Sequence, residues 1–196
     1  MHEKFLIIIE GIDNSGKSTI AKEMANRFNF KFDHEPTFSS VFADQINFKS
    51  MNAYQREFYF MIDRYKHQEV LKANDTIMDR YRLSGLAYAA VFGKEALDMA
   101  RSIYCLQEFK KPSLTIFIDM HPENAMKLNE LRKGTEAFNP KLTIDKLNDL
   151  RKSYYNEMAY IQSHWDEETI IYEPVFGDIE KTFDQVYDLI RRELSL

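Results

Sequence analysis

Apolar residues follow two periods along this chain. Residues 5–9, residues 76–78, Leu114–Ile118 and Thr169–Tyr172 are short, nearly continuous apolar runs rich in β-branched side chains. They predict strands buried on both faces, with residues 30–32 a weaker fifth. Between them the spacing changes to three and four. Ile20, Met24 and Phe28 form one stripe. Leu147, Leu150, Tyr154, Met158 and Ile161 form another. Ile179, Phe183, Val186, Tyr187, Ile190 and Leu194 form a third, with Asp178 placed to cap its start. Buried strands separated by helices predict an α/β protein: a five-stranded parallel sheet with helices on both faces.

Two segments behave differently. Residues 52–72 predict a helix on which Tyr54, Phe58, Met61, Ile62, Tyr65 and Glu69 lie within about 100° of one another. The apolar members mark this as the core face. Phe60 lies nearly opposite, in line with Arg56, Arg64 and His67. An aromatic ring on an arginine-bearing face suits stacking on a base, with Arg64 one turn on to donate to a base carbonyl; a second buried face gives the same pattern. Residues 127–141 are polar, are broken by Gly134, Asn139 and Pro140, and carry Lys127, Arg132, Lys133 and Lys141. They predict a short mobile lid, approximately 127–141, within one domain spanning 1–196.

Composition narrows the function. A net charge of −5 argues against a general nucleic-acid surface. One cysteine, Cys105, rules out an internal disulfide and fits a reducing compartment. No apolar run approaches the length of a membrane span, so a soluble cytoplasmic protein is expected.

Gly11, Ile12, Asp13, Asn14, Ser15, Gly16, Lys17 and Ser18 match G-x-x-x-x-G-K-[ST], a phosphate-binding loop, between a predicted strand and a predicted helix that continues through Thr19. Its glycines turn successive N–H groups toward one point, and the helix adds its positive dipole end. Lys17 supplies a mobile charge for the β- and γ-phosphates of ATP, and the Ser18 hydroxyl is placed to ligate Mg²⁺. Ligands of open parallel sheets sit at the carboxyl ends of strands. Asp79, which ends one strand beside Arg80, is therefore a second Mg²⁺ candidate. Asp119 has the same pattern, but its plainer reading is the cap of a turn.

Residues 77–89, Ile-Met-Asp-Arg-Tyr-Arg-Leu-Ser-Gly-Leu-Ala-Tyr-Ala, resemble the signature of the thymidylate kinase family. Glu10 before the loop, Glu35 with Pro36, the Phe60 to Arg64 stretch and residues 111–119 resemble further family segments. The resemblance covers most of residues 5–125 and is weak beyond. It implies a P-loop NTPase fold, a homodimer, and Mg²⁺-dependent transfer of a phosphoryl group from ATP to dTMP on the way to dTTP. It further implies that Arg80 bridges acceptor phosphate and γ-phosphate, and that Asp13 lies near the sugar 3′-hydroxyl and the metal. Glu35, Pro36, Phe60, Arg64 and Ser84 would line the acceptor site. Gly85 would leave room at the pyrimidine, and Tyr88 would stand where a 2′-hydroxyl would be.

The departures are local. Asn14 stands where some family members carry an arginine inside the loop, so the missing charge falls to the lid, to Arg132 or Lys133. Leu128 replaces an arginine that the family places near adenine. Val175 and Phe176 are positional candidates for that site. Three other readings share these features: a deoxynucleoside monophosphate kinase of different or broader base specificity, a nucleoside kinase, and a non-catalytic nucleotide-binding module. A nucleoside kinase needs a carboxylate base at its acceptor hydroxyl, and Glu35 followed by Pro36 fits that poorly.

Overall fold

The computed structural model describes residues 4–37, 51–106, 109–135 and 139–196. Its middle strand is β1 (Leu6–Gly11), all six residues of which are buried. β3 (Thr76–Asp79) pairs on one side and β4 (Leu114–Ile118) on the other, while β2 (Lys31–His34) and β5 (Thr169–Tyr172) form the edges. The order is β2-β3-β1-β4-β5, and every pairing is parallel. The three inner strands are buried throughout, which their unbroken apolar runs require. The edges are not. Thr169–Tyr172 was expected to be buried on both faces, but Ile171 is 47% exposed, because one side of β5 has no neighbouring strand.

Alternation along β1 feeds two layers. Ile7 and Ile9 pack with Ile20 and Met24 of α1 (Lys17–Phe28) and with Phe183, Val186 and Ile190 of α7 (Ile179–Leu194). Leu6 and Ile8 face the other way, onto Leu71 of α2 (Ala53–Ala73) and Tyr81. That second layer continues through α3 (Arg82–Phe92), α4 (Lys94–Tyr104), α5 (Pro122–Leu131) and α6 (Ile144–Trp165). Leu147, Leu150, Tyr154, Met158 and Ile161 of α6 are all buried there, as their spacing predicts. Each such aliphatic side chain contributes roughly 1.5–3 kcal/mol by leaving water. Asp178 caps α7 by accepting the Lys181 N–H at 3.0 Å.

α2 reverses the expectation drawn from its stripe. Tyr54, Phe58, Ile62 and Tyr65 are 42, 52, 39 and 55% exposed, and of that stripe only Met61 is buried. The buried positions are mostly polar: Glu57, Asp63, Arg64, His67 and Gln68. Periodicity locates an apolar stripe but not its partner. Here the polar face has hydrogen-bond partners within the chain, so it is the one turned inward.

The segment expected to be a mobile flap also differs. Its first five residues belong to α5, which starts with Pro122 in the first turn. Asn129 is 1% exposed and Leu128 packs against the core, so this part is a packed helix end. Residues 136–138 of the predicted lid lie outside the described residues.

Candidate active site

The site begins where β1 ends. Gly16 closes the loop at φ 84° and opens α1. That left-handed conformation is natural for glycine, and it leaves helix-start N–H groups pointing outward. Gly16 O accepts the N–H groups of Thr19 and Ile20, at 3.0 and 3.1 Å. Among the described residues, the N–H groups of Gly16, Lys17 and Ser18 have no acceptor within the chain, so they can receive an anion. Lys17 is folded back on this loop, its Nζ 3.2 Å from Ile12 O. Burial, and after it the charge of Arg80, pushes the Lys17 ammonium down to about 8, against the pull of Asp79, Asp13 and Glu10.

Arg80 follows β3 with φ 72°, a strained conformation for a side chain of its size. Its N–H still bonds Ile9 O at 3.1 Å, so strand pairing is kept while the side chain is redirected over the loop. There Nη2 lies 2.6 Å from Asp13 Oδ1, and Nη1 reaches the Ser84 and Tyr154 hydroxyls at 3.3 Å each. Tyr88 donates its hydroxyl to Asp13 Oδ1 at 2.8 Å, under the Arg80 guanidinium. Burial opposes ionisation of Asp13, but Arg80 and Lys17 outweigh it and hold the carboxyl below the usual range. Four residues predicted from sequence, Asp13, Arg80, Ser84 and Tyr88, thus meet in one cluster.

Glu10 is the part the residue pattern did not reveal, since a carboxylate within a buried strand carries no periodic signal. Its side chain is fully buried. Oε1 accepts the Tyr81 and Ser84 N–H groups at 2.8 and 3.1 Å, and Oε2 accepts the Ser84 hydroxyl at 2.5 Å. The N-cap residue of α3, Tyr81, supplies no side-chain cap of its own, so Glu10 caps this helix from the neighbouring strand. Burial pushes the Glu10 carboxyl up; Ser84, Arg80 and the two N–H groups pull the other way.

The second cluster lies along α2. Arg64 donates Nε and Nη2 to the two oxygens of Glu35 at 2.6 and 2.5 Å, and Nη1 to Tyr104 OH and to Glu57 at 3.3 Å. Four of its five N–H donors are thereby used. One Nη2 N–H has no acceptor among the described residues, and the Phe60 ring lies 5.9 Å from the guanidinium. Burial drives the Glu35 carboxyl up to about 7, and Arg64 opposes that rise. Glu57 and Tyr104 are further residues that sequence reasoning missed: Tyr104 lies on another helix, and Glu57, two turns before Arg64, sits on the face read as exposed to ligand. Gly85 sits against this cluster. A methyl group there would collide with Arg64 Nη1 and stand 2.7 Å from Tyr104 OH, so Gly85 makes room for the arginine cluster as such. Thr37, beyond Pro36, is tied to Asp63 by 2.7 and 2.8 Å bonds.

The two aspartates that end strands separate cleanly. Asp119 is bound by Arg151 through two 2.6 Å bonds and by Tyr155 OH at 2.7 Å, a structural arrangement. Asp79 Oδ1 is buried without a partner beside the loop. An orphaned carboxylate oxygen and an exposed hydroxyl at Ser18 are both oxygen ligands of the kind a hard divalent cation takes. Of the two lid cations, Arg132 contacts the loop, with Nη1 2.5 Å from Asn14 Oδ1, while Lys133 is exposed. Leu128 packs against the core. Phe176 has Lys127 Nζ 5.3 Å above its ring, which sets the loop after β5 against α5. A groove of about 1200 Å³, lined by Lys4, Lys72, Arg82 and Trp165 among others, opens at the other end of the sheet.

A glycine loop between the central strand of a parallel sheet and its first helix, with a buried lysine and an arginine facing it, defines a P-loop nucleotide-binding protein. Residues 9–169 match the family model described as thymidylate kinase. The "Probable thymidylate kinase" of Methanococcus maripaludis strain C6 is 31% identical over 94% of this chain and 92% of its own. That of Picrophilus torridus is 32% identical over 76% of this chain and 78% of its own. The chain belongs to the thymidylate kinase family and is a phosphotransferase. Solved structures agree on the fold: thymidylate kinase from Candida albicans has a TM-score of 0.71 at 22% identity, covering 97% of this chain and 92% of that one. A deoxyadenosine kinase from M. mycoides has a TM-score of 0.72 at 16% identity, covering 96% of this chain and all of that one.

Proposed function

We propose that the protein transfers the γ-phosphoryl group of ATP to dTMP, giving the diphosphate that precedes dTTP. The observation that carries this reading is Arg80, bonded to Asp13 of the phosphate loop and to Ser84 of α3, the helix whose Gly85 packs against Arg64. The acceptor is already an ionised phosphate, so no general base is required; alignment and charge neutralisation suffice. Lys17 covers the β/γ side, Arg80 spans the two phosphates, and Arg132 reaches the donor from the lid. Asp13 fixes Arg80 and faces the 3′-hydroxyl, with Tyr88 closing off the 2′ side. Phe60 stacks on the base, and the remaining Arg64 N–H donates to its carbonyl. Ser18 and Asp79 would hold Mg²⁺, which neutralises charge on the β- and γ-oxygens when bound. Glu35 is bound in both oxygens by Arg64, so the carboxylate a nucleoside kinase would use as base is occupied. Coupled assays with dTMP, dUMP, dGMP and thymidine test the reading: fastest turnover is expected with dTMP, and no transfer to dTMP would sink it.

Lys17 gives a pH signature. A lysine lowered to about 8 carries its charge below that pH and loses it above. In the free enzyme kcat/KM for ATP therefore falls above pH 8, while kcat at saturating ATP falls later, because bound phosphate restores the ammonium. A flat kcat/KM profile up to pH 9.5 would contradict this.

The exposed Tyr54, Phe58, Ile62 and Tyr65 form a continuous stripe along α2, and a homodimer would cover it. Light scattering should give twice the chain mass for the wild type and the chain mass for Phe58→Glu; a monomeric wild type refutes the assembly. Among the described residues no helix is long and apolar enough to cross a membrane. Together with an exposed free cysteine, this supports a cytoplasmic location.

A further inference from the structure

Asn14 touches the lid with both ends of its amide. Oδ1 accepts from Arg132 Nη1 at 2.5 Å, and Nδ2 donates to Asn129 Oδ1 at 3.1 Å. Asn129 is buried, and it clasps the far side of the lid as well. Its Nδ2 donates to Asn139 O at 3.0 Å, and its Oδ1 accepts the Asn139 N–H at 3.1 Å. Arg132 is itself placed as the C-cap of α5, with its carbonyl accepting the Thr135 N–H at 2.9 Å. One loop side chain therefore joins the phosphate loop to both ends of the lid.

The chemistry at this position is specific. An amide offers an acceptor to a guanidinium and a donor to an amide oxygen at once, from two separate atoms. Aspartate would set a second acceptor against Asn129 Oδ1 and a negative charge at a phosphate site. Arginine would face Arg132 with like charge. Glycine would offer neither group. The acceptor that holds Arg132 is also neutral. A phosphate oxygen adds a full negative charge to the same guanidinium donors, so an incoming donor nucleotide takes Arg132 from Asn14 without a competing ion pair to break.

We infer that Asn14 is a positioning residue: it latches the lid to the loop and holds Arg132 over the donor-phosphate site until a triphosphate takes the guanidinium. This rests on the phosphotransfer reading above and extends it to the control of the lid. The absence of an in-loop charge at Asn14 is thus made good by delivery of a charge from α5.

Asn14 has φ 61°, so Asn14→Gly removes the side chain in a conformation glycine accepts. In Asn14→Gly, kcat should fall about 10-fold, with KM for dTMP changed less than twofold. In Arg132→Ala, kcat should fall about 10²-fold, the scale of one lost transition-state donor. The double variant should match Arg132→Ala within twofold, because Asn14 acts only through Arg132. Amide hydrogen exchange of residues 129–135 in the ligand-free protein should be at least fivefold faster in Asn14→Gly. Additive losses in the double variant, or unchanged exchange, would overturn the latch. The exchange experiment needs no turnover, so failure of the latch and failure of the dTMP reading are told apart.

Discussion

Arg80→Ala lowers kcat by about 10²–10³-fold, with a smaller rise in KM for dTMP. The magnitude follows from where the guanidinium sits. It is half-buried over the loop and fixed by Asp13 at 2.6 Å, so it meets the transferred phosphoryl group with little reorganisation. The backbone argument sharpens the test. Arg80 has φ 72°, a conformation that costs a non-glycine residue roughly 1–3 kcal/mol. Arg80→Gly relieves part of that cost, so it should lose activity as fully as Arg80→Ala while melting no lower. Steady-state kinetics and thermal melts on the two variants measure both effects. Near-normal turnover in either one removes Arg80 from the chemistry.

Glu10→Ala should cost about 3–5 kcal/mol of stability, because two buried N–H groups, the Ser84 hydroxyl and the Tyr154 hydroxyl, which donates to Oε2 at 3.3 Å, lose their acceptor together. For a chain of this size that corresponds to a melting temperature lower by about 10 °C. Activity should fall as well, since the N-terminus of α3 carries Ser84 and follows directly on Arg80. Glu10→Gln keeps one acceptor oxygen and the same shape. The Ser84 hydroxyl can turn to accept from the new amide, so the loss should be no more than about half as large. Urea melts of the three proteins separate these outcomes. An unchanged midpoint for Glu10→Ala would show that α3 does not depend on this cap.

Much of the site was legible because its parts are adjacent in sequence. The loop from Gly11 to Ser18 is one continuous segment whose geometry is set by its own glycines, and β1 before it is marked by an unbroken apolar run. The Asp79 and Arg80 pair could be placed at a strand end by the same reasoning. Asp79 and Asp119 share that pattern, however, and only the contacts divide them. Arg151 and Tyr155 satisfy Asp119 from α6, while Asp79 keeps an unpartnered oxygen. Glu57, Tyr104 and Asn129 were not legible at all. Tyr104 and Asn129 meet residues of other elements, which no period along one element encodes; Glu57 stands two turns before Arg64 on α2, but the period does not say that this face turns inward.

The sequence by itself determined the strands, the phosphate loop and the family, since these depend on local pattern and on residues in fixed order. Tertiary structure decided which face of α2 is turned inward: the apolar stripe stands exposed because the polar face alone finds complementary partners inside the chain. It also decided what Asn14 touches. Its sequence position says only that the loop lacks a charge. The fold brings α5 against the loop, and there the amide's two ends meet Arg132 and Asn129, because hydrogen bonds are satisfied by whatever packing places within reach.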